Sequence, residues 1–187
     1  MTKFILHGGY TSNPVQSNKD FFGEIVRDIP NGGTVLLVYF ARPTQEHEKL
    51  FAVDVERIKE NSGGKKVKFV MASEANFTEE LSRAAAIYMR GGTTRRLLHV
   101  LKEHPDFSQL ISGKTIAGSS AGAYVLAKHF FSQDTGEVET GLGILRRNVV
   151  AHYDGNQNIL KLLKEAGPQW PLLVLRDCEL AVIVTDQ

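Results

Sequence analysis

The chain has 187 residues, of which 42% are hydrophobic and 23% charged, an ordinary balance for one globular domain with a buried core. Its formal net charge of +1 gives no basic excess of the kind that draws a protein to nucleic acid or an anionic membrane. The single cysteine, Cys178, excludes an internal disulfide, and the apolar start from Phe4 is too short for a signal-peptide core, so a cytosolic location is expected.

Taken in chain order, short apolar runs alternate with longer amphipathic segments. Phe4-Ile5-Leu6 predicts a buried strand ending at His7-Gly8-Gly9. Phe21 to Arg27 predicts a helix, stopped by Pro30 and the Asn31-Gly32-Gly33 turn. Thr34 to Phe40 is an unbroken apolar run, typical of a strand covered on both faces. A helix follows over Glu46 to Asn61, then a strand over Val67 to Met71 and a helix opening at Thr78-Glu79-Glu80. Ala85 to Met89 is a fourth strand, ended by Gly91-Gly92, and Arg95 to Glu103 is helical. Thr115 to Ala117 is the fifth strand. The region from Ser132 to Asn148 reads as loops or a short hairpin. Val149-Val150-Ala151 ends as a strand, Asn158 to Glu165 is a helix, and Leu172 to Leu175 and Leu180 to Val184 are two closing strands. This alternation predicts one α/β domain over residues 1–187, with a mainly parallel sheet and active groups at the carboxyl ends of its strands.

The fifth strand runs into Gly118-Ser119-Ser120-Ala121-Gly122, which fits G-x-S-x-G with Ser120 at the centre. That pattern places a serine on a sharp strand-to-helix turn, with small neighbours where the backbone leaves no room for Cβ atoms. A Gly/Ser-rich connection without chemistry is the plain alternative. An activated serine needs a base in reach, and the base needs an orienting acid. Of the six histidines, His47, His99 and His104 lie in charged helical segments. His129 is expected on the same helix as Ser120, about 13 Å along its axis and pointing away from the turn. His7 and His152 both stand at strand ends, and His152 leads into a polar turn. For the acid, Asp177 and Glu179 stand between the closing strands, while Asp154 is better placed to cap the helix that starts near Asn156. The Ala121 amide and the Gly91-Gly92 turn are the candidate oxyanion donors.

Gly118 to Gly122, Gly91-Gly92-Thr93-Thr94 with Leu97-Leu98, and Val150-Ala151-His152-Tyr153-Asp154 together resemble the dipeptidase E and cyanophycinase family of serine peptidases. The resemblance implies a three-layer α/β fold like that of class I glutamine amidotransferases, and a triad in the order serine, histidine, acid. By position it assigns Ser120 as nucleophile, His152 as general base, and Gly92 and Ala121 as oxyanion donors, with Gly91 shaping the turn. For the acid, Asp177 matches best and Glu179 is the reserve, although relatives usually carry glutamate there. They also usually carry Gly-Gly-Asn-Thr where this chain has Gly91-Gly92-Thr93-Thr94. The expected substrate is a small peptide; relatives favour α-aspartyl dipeptides or a β-linked aspartate-arginine polymer. An acidic side chain calls for a cation, supplied by Arg90, Arg95 or Arg96 beside the glycine turn.

Two other readings remain. An α/β-hydrolase esterase also uses G-x-S-x-G, and His7-Gly8-Gly9 resembles its oxyanion motif. Its order of serine, acid, histidine needs Asp134, which follows Ser120 too closely to leave room for the usual intervening elements. An amidotransferase-like binding module that has lost turnover is the second. No metal-ligand spacing or phosphate loop is present in the sequence, so no metal or other cofactor is expected. Nucleic-acid and membrane partners are not expected, and a homodimer is left open.

Overall fold

In the computed structural model, which describes residues 1–186, ten strands form two sheets. The larger sheet contains β1 (Thr2–His7), β2 (Thr34–Val38), β3 (Lys68–Met71), β4 (Ala86–Met89), β5 (Thr115–Ser119) and β10 (Leu180–Thr185), in the order β10-β1-β5-β4-β2-β3. All neighbours pair in parallel except β10, which runs antiparallel to β1. Helices cover both faces, as the continuous apolar runs require. Within β1, Ile5 points to the layer that includes Phe21, Phe22 and Ile25 of α1 (Gln16–Val26) and Ile58 of α2 (His47–Glu60). Phe4 and Leu6 point the other way, toward α3 (Phe77–Arg83), α4 (Thr94–Lys102), α5 (Phe107–Leu110) and α6 (Ala121–Leu126).

The smaller sheet, in the order β7-β6-β8-β9, joins β6 (His129–Ser132), β7 (Glu137–Thr140), β8 (Asn148–Val150) and β9 (Leu172–Val174). Helix α7 (Gln157–Ala166) packs on it through Ile159 and Leu163. The Ser132–Asn148 region thus contains the turn and the second strand of the hairpin β6–β7. The two closing strands part company: β9 completes the small sheet and β10 the large one, and the turn between them brings Asp177 to the sheet edge.

One element departs from the sequence expectation. The helix after Ser120 ends at Leu126, and His129 opens a strand rather than extending that helix. The segment His129-Phe130-Phe131-Ser132 alternates half-buried and buried positions, a period of two. In the strand, Phe130 is buried and its ring stacks on Tyr124 with centroids 4.8 Å apart, while β8 supplies a parallel partner. Pairing and aromatic burial outweigh the local helical preference.

Candidate active site

The site lies where β1, β4 and β5 end and the small sheet meets them. Ser120 sits between β5 and α6 with φ +51° and ψ −108°, a conformation a serine adopts only when its surroundings enforce it. Its amide donates to the His7 carbonyl at 2.9 Å, which ties the turn to β1. The flanking glycines are required by packing. A Cβ on Gly118 would stand 2.4 Å from the Gly122 carbonyl carbon, and one on Gly122 would stand 2.2 Å from the Met89 oxygen.

His152 follows β8, with φ +54° and its amide bound to the Gly8 carbonyl at 3.0 Å. Its Nε2 accepts from Ser120 Oγ–H at 2.8 Å, and its Nδ1–H donates to Asp177 Oδ1 at 2.6 Å. The carboxylate can only accept, so in a neutral ring this pair of contacts selects the tautomer with the proton on Nδ1. The Asp177 side chain is 50% exposed against 23% for His152, so water screens the pair and its main effect is to orient the ring. Glu179 is turned elsewhere: its Oε2 accepts from the Arg176 amide at 2.8 Å and closes the turn around Asp177. Asp134 lines the same cavity, but Asp177 is the acid on His152 Nδ1.

Tyr124, which the sequence did not single out, and Gly9, read there only within an esterase-like oxyanion motif, hold this geometry. The buried Tyr124 hydroxyl donates to the Ala151 carbonyl and accepts from the Ala151 amide, both at 3.0 Å. The side chain thereby acts as a strand partner, linking α6 behind Ser120 to the residue before His152. Burial pushes its hydroxyl up to about 12. Gly9 lies beneath the His152 ring with φ +116°. Its amide donates to Nδ1 of the fully buried His7 at 3.0 Å, and His7 Nε2–H donates to Asn18 Oδ1 at 2.8 Å. Both ring nitrogens of His7 are used in holding this loop. Loss of hydration lowers the pKa of His7 to about 4. His7-Gly8-Gly9 therefore seats the His152 ring, where the esterase-like reading made it an oxyanion motif.

On the other side of Ser120 runs the Gly91–Gly92 turn. A Cβ on Gly92 would stand 2.3 Å from the Ala41 oxygen, so glycine is required there, while one on Gly91 would sit tightly at 3.1 Å from Ser120 Cβ. Among the described residues, neither the Gly92 nor the Ala121 amide is spent on an internal hydrogen bond. Arg90 lines the cavity, but its Nη1 pairs with the fully buried Asp54, which also accepts from Tyr39 Oη at 3.1 Å. Burial pushes the Asp54 carboxyl upward while Arg90 and Tyr39 pull it back. Arg95 lies on the exposed face of α4 and pairs with Glu139 at 3.1 Å. Arg42, missed in the sequence, also reaches the cavity; it follows the β2 run with no pattern of its own to mark it.

These groups enclose a cavity of about 610 Å³, within the range of small-ligand sites. The arrangement can activate a hydroxyl, take up its proton, and present two amides to a developing negative charge. Among the described residues no three His, Cys, Asp or Glu side chains converge as metal ligands. No helix among them is long and apolar enough to cross a membrane.

The family model for peptidase family S51 matches residues 4–186. The solved structure of a peptidase from an acI-B1 Actinobacterium is 23% identical, with a TM-score of 0.67 over 98% of this chain and 83% of that one. A peptidase E candidate from Listeria monocytogenes EGD-e is 18% identical, with a TM-score of 0.66 over 98% of this chain and 94% of that one. These two likenesses establish the fold, which is of the class I glutamine amidotransferase-like type. No curated protein matches this chain in sequence.

Proposed function

Since the chain belongs to peptidase family S51 and is a serine peptidase of the dipeptidase E type, we propose that Ser120, His152 and Asp177 form its catalytic triad and that it hydrolyses short peptides. The observation that carries this reading is the unbroken hydrogen-bond chain from Ser120 Oγ through both nitrogens of His152 to Asp177.

In this reading Ser120 Oγ attacks the scissile carbonyl carbon as His152 Nε2 takes its proton. Asp177 holds the ring in the required tautomer and stabilises the imidazolium that forms. The Gly92 and Ala121 amides receive the negative charge on the carbonyl oxygen, each worth on the order of 10²–10³ in rate. The imidazolium returns the proton to the leaving amine, which departs as the C–N bond breaks. Water, deprotonated by His152, then cleaves the acyl-serine ester and restores Ser120.

For the substrate we assign an aspartyl dipeptide, Asp-X, with the acidic side chain received by Arg90. A guanidinium has five N–H donors, and the bond to Asp54 leaves others for a carboxylate in the cavity. The test is a Ser120→Ala variant assayed on Asp-X dipeptides, beside fluorophosphonate labelling of the native chain. Abolished hydrolysis in a folded variant, with label on Ser120, is the expected result. Full activity in the variant would sink the assignment.

A further inference from the structure

The Gly92 amide belongs to a peptide group whose other end is held. Arg42 Nε–H donates to the Gly91 carbonyl oxygen at 2.6 Å. In a trans peptide the C=O of one residue and the N–H of the next share a plane and point in opposite directions. The Gly91–Gly92 peptide is trans, so a donor that grips the Gly91 oxygen from one side sets the direction of the Gly92 N–H on the other.

The segment that carries Arg42 is itself anchored. The Arg42 amide donates to the Tyr39 carbonyl at 2.7 Å, and His47 Nε2–H donates to the Arg42 carbonyl at 3.0 Å. The Thr93 amide donates to the Ala41 carbonyl at 2.9 Å, so the two loops are clamped on both sides of Gly92. Glycine supplies the close approach, but with no side chain it leaves the peptide plane free to rock. A fixed external donor removes that freedom. The donor is a cation, which also draws electron density toward the carbonyl and sharpens the N–H as a donor.

We propose that Arg42 is a positioning residue for peptide hydrolysis: its bond to the Gly91 carbonyl fixes the Gly91–Gly92 peptide plane so that the Gly92 N–H faces the oxyanion before substrate arrives. The inference rests on the Ser120 reading above. It makes a different claim from substrate recognition, because a peptide-plane anchor acts on every substrate alike and mainly on turnover.

Two variants separate the roles. Arg42→Gln places an uncharged N–H donor at the same number of bonds from Cα as Arg Nε, whereas Arg42→Met offers none. The Arg42 side chain is 39% exposed, so both variants are expected to fold, checked by their melting curves. Arg42→Met should lower kcat on the order of 10- to 100-fold on both an Asp-X and an Ala-X dipeptide, with KM within about twofold. Arg42→Gln should recover most of that loss. Unchanged kcat in Arg42→Met, a loss confined to the acidic dipeptide, or equal impairment in both variants would overturn the proposal. If the native chain hydrolyses no dipeptide, the functional reading fails on its own. The rate at which a fluorophosphonate modifies Ser120 then decides, since the phosphonyl oxygen enters the same pair of amides. Slower labelling in Arg42→Met supports the anchor and equal rates reject it. If Ser120 takes no label at all, both readings fall.

Discussion

Gly9 lies against the imidazole of His152, so close that a Cβ on Gly9 would stand 1.9 Å from Cε1 and 2.6 Å from Nε2. The backbone of the loop after β1 is therefore one wall of the ring's seat. Tyr10 adds an edge-on contact from the same loop, its ring centroid 5.5 Å from that of His152. Together with the Asp177 bond, these contacts leave the imidazole little freedom to turn away from Ser120.

Gly9→Ala should displace the imidazole, because the ring must yield to the new methyl group. The φ of +116° adds backbone strain on the order of 1–3 kcal/mol. Hydrolysis of a dipeptide should fall about 100-fold, the cost of moving a catalytic group by about 1 Å. Steady-state kinetics with circular dichroism on the same sample checks this. A folded variant with native kcat/KM would show that the contact does not position His152.

Asp177 and Glu179 should separate cleanly when each loses its charge. Asp177→Asn removes the acceptor that selects the His152 tautomer and should lower kcat on the order of 10³–10⁴-fold. Glu179→Gln weakens only the bond to the Arg176 amide, so kcat should hold while stability drops by about 0.5–1.5 kcal/mol. Comparing kcat and urea midpoints for the pair settles the role of each carboxylate. A reversed pattern would make Glu179 the acid.

His7 should give the fold a specific acid sensitivity. Its ordinary value is 6.5, but the buried ring resists protonation down to about 4. Between those values the unfolded chain binds a proton that the folded chain does not, so acid favours unfolding. The contribution of His7 is intact above pH 6.5 and is lost as pH falls toward 4, about 3 kcal/mol in all. His7→Gln, which cannot titrate, should be less stable than the native chain at pH 7 and should show a shallower loss between pH 7 and 4.5. Urea unfolding at both values tests this, and identical slopes for the two proteins would rule it out.

The elbow was legible in the linear pattern because its causes are local. Gly118 and Gly122 are dictated by backbone approach within and beside the turn, and the apolar run before them is a strand in any context with two covered faces. The central β/α alternation is local in the same sense. The runs that form β8 and β9 were legible as strands, but their grouping into a second sheet was not, because β6 takes its form from pairing with β7 and β8. The absence of that grouping from the linear reading also extended α6 into residues that belong to β6.

The composition and order of residues already contained the α/β class, Ser120 on its turn, and His152 and an acid downstream in a peptidase-like order. Asp177 and Glu179 are two residues apart in one turn, and their sequence neighbours do not distinguish them. The turn's path does: Cys178 takes φ +64° and its amide binds the Gly9 carbonyl at 3.0 Å, which leaves Asp177 toward His152 and folds Glu179 back on Arg176. Arg42, Gly9 and Tyr124 likewise gain their meaning from partners 27 to 143 positions away, at Gly91, His152 and Ala151. Hydrogen bonds and packing across such separations depend on the assembled sheets, and local propensity carries no record of them.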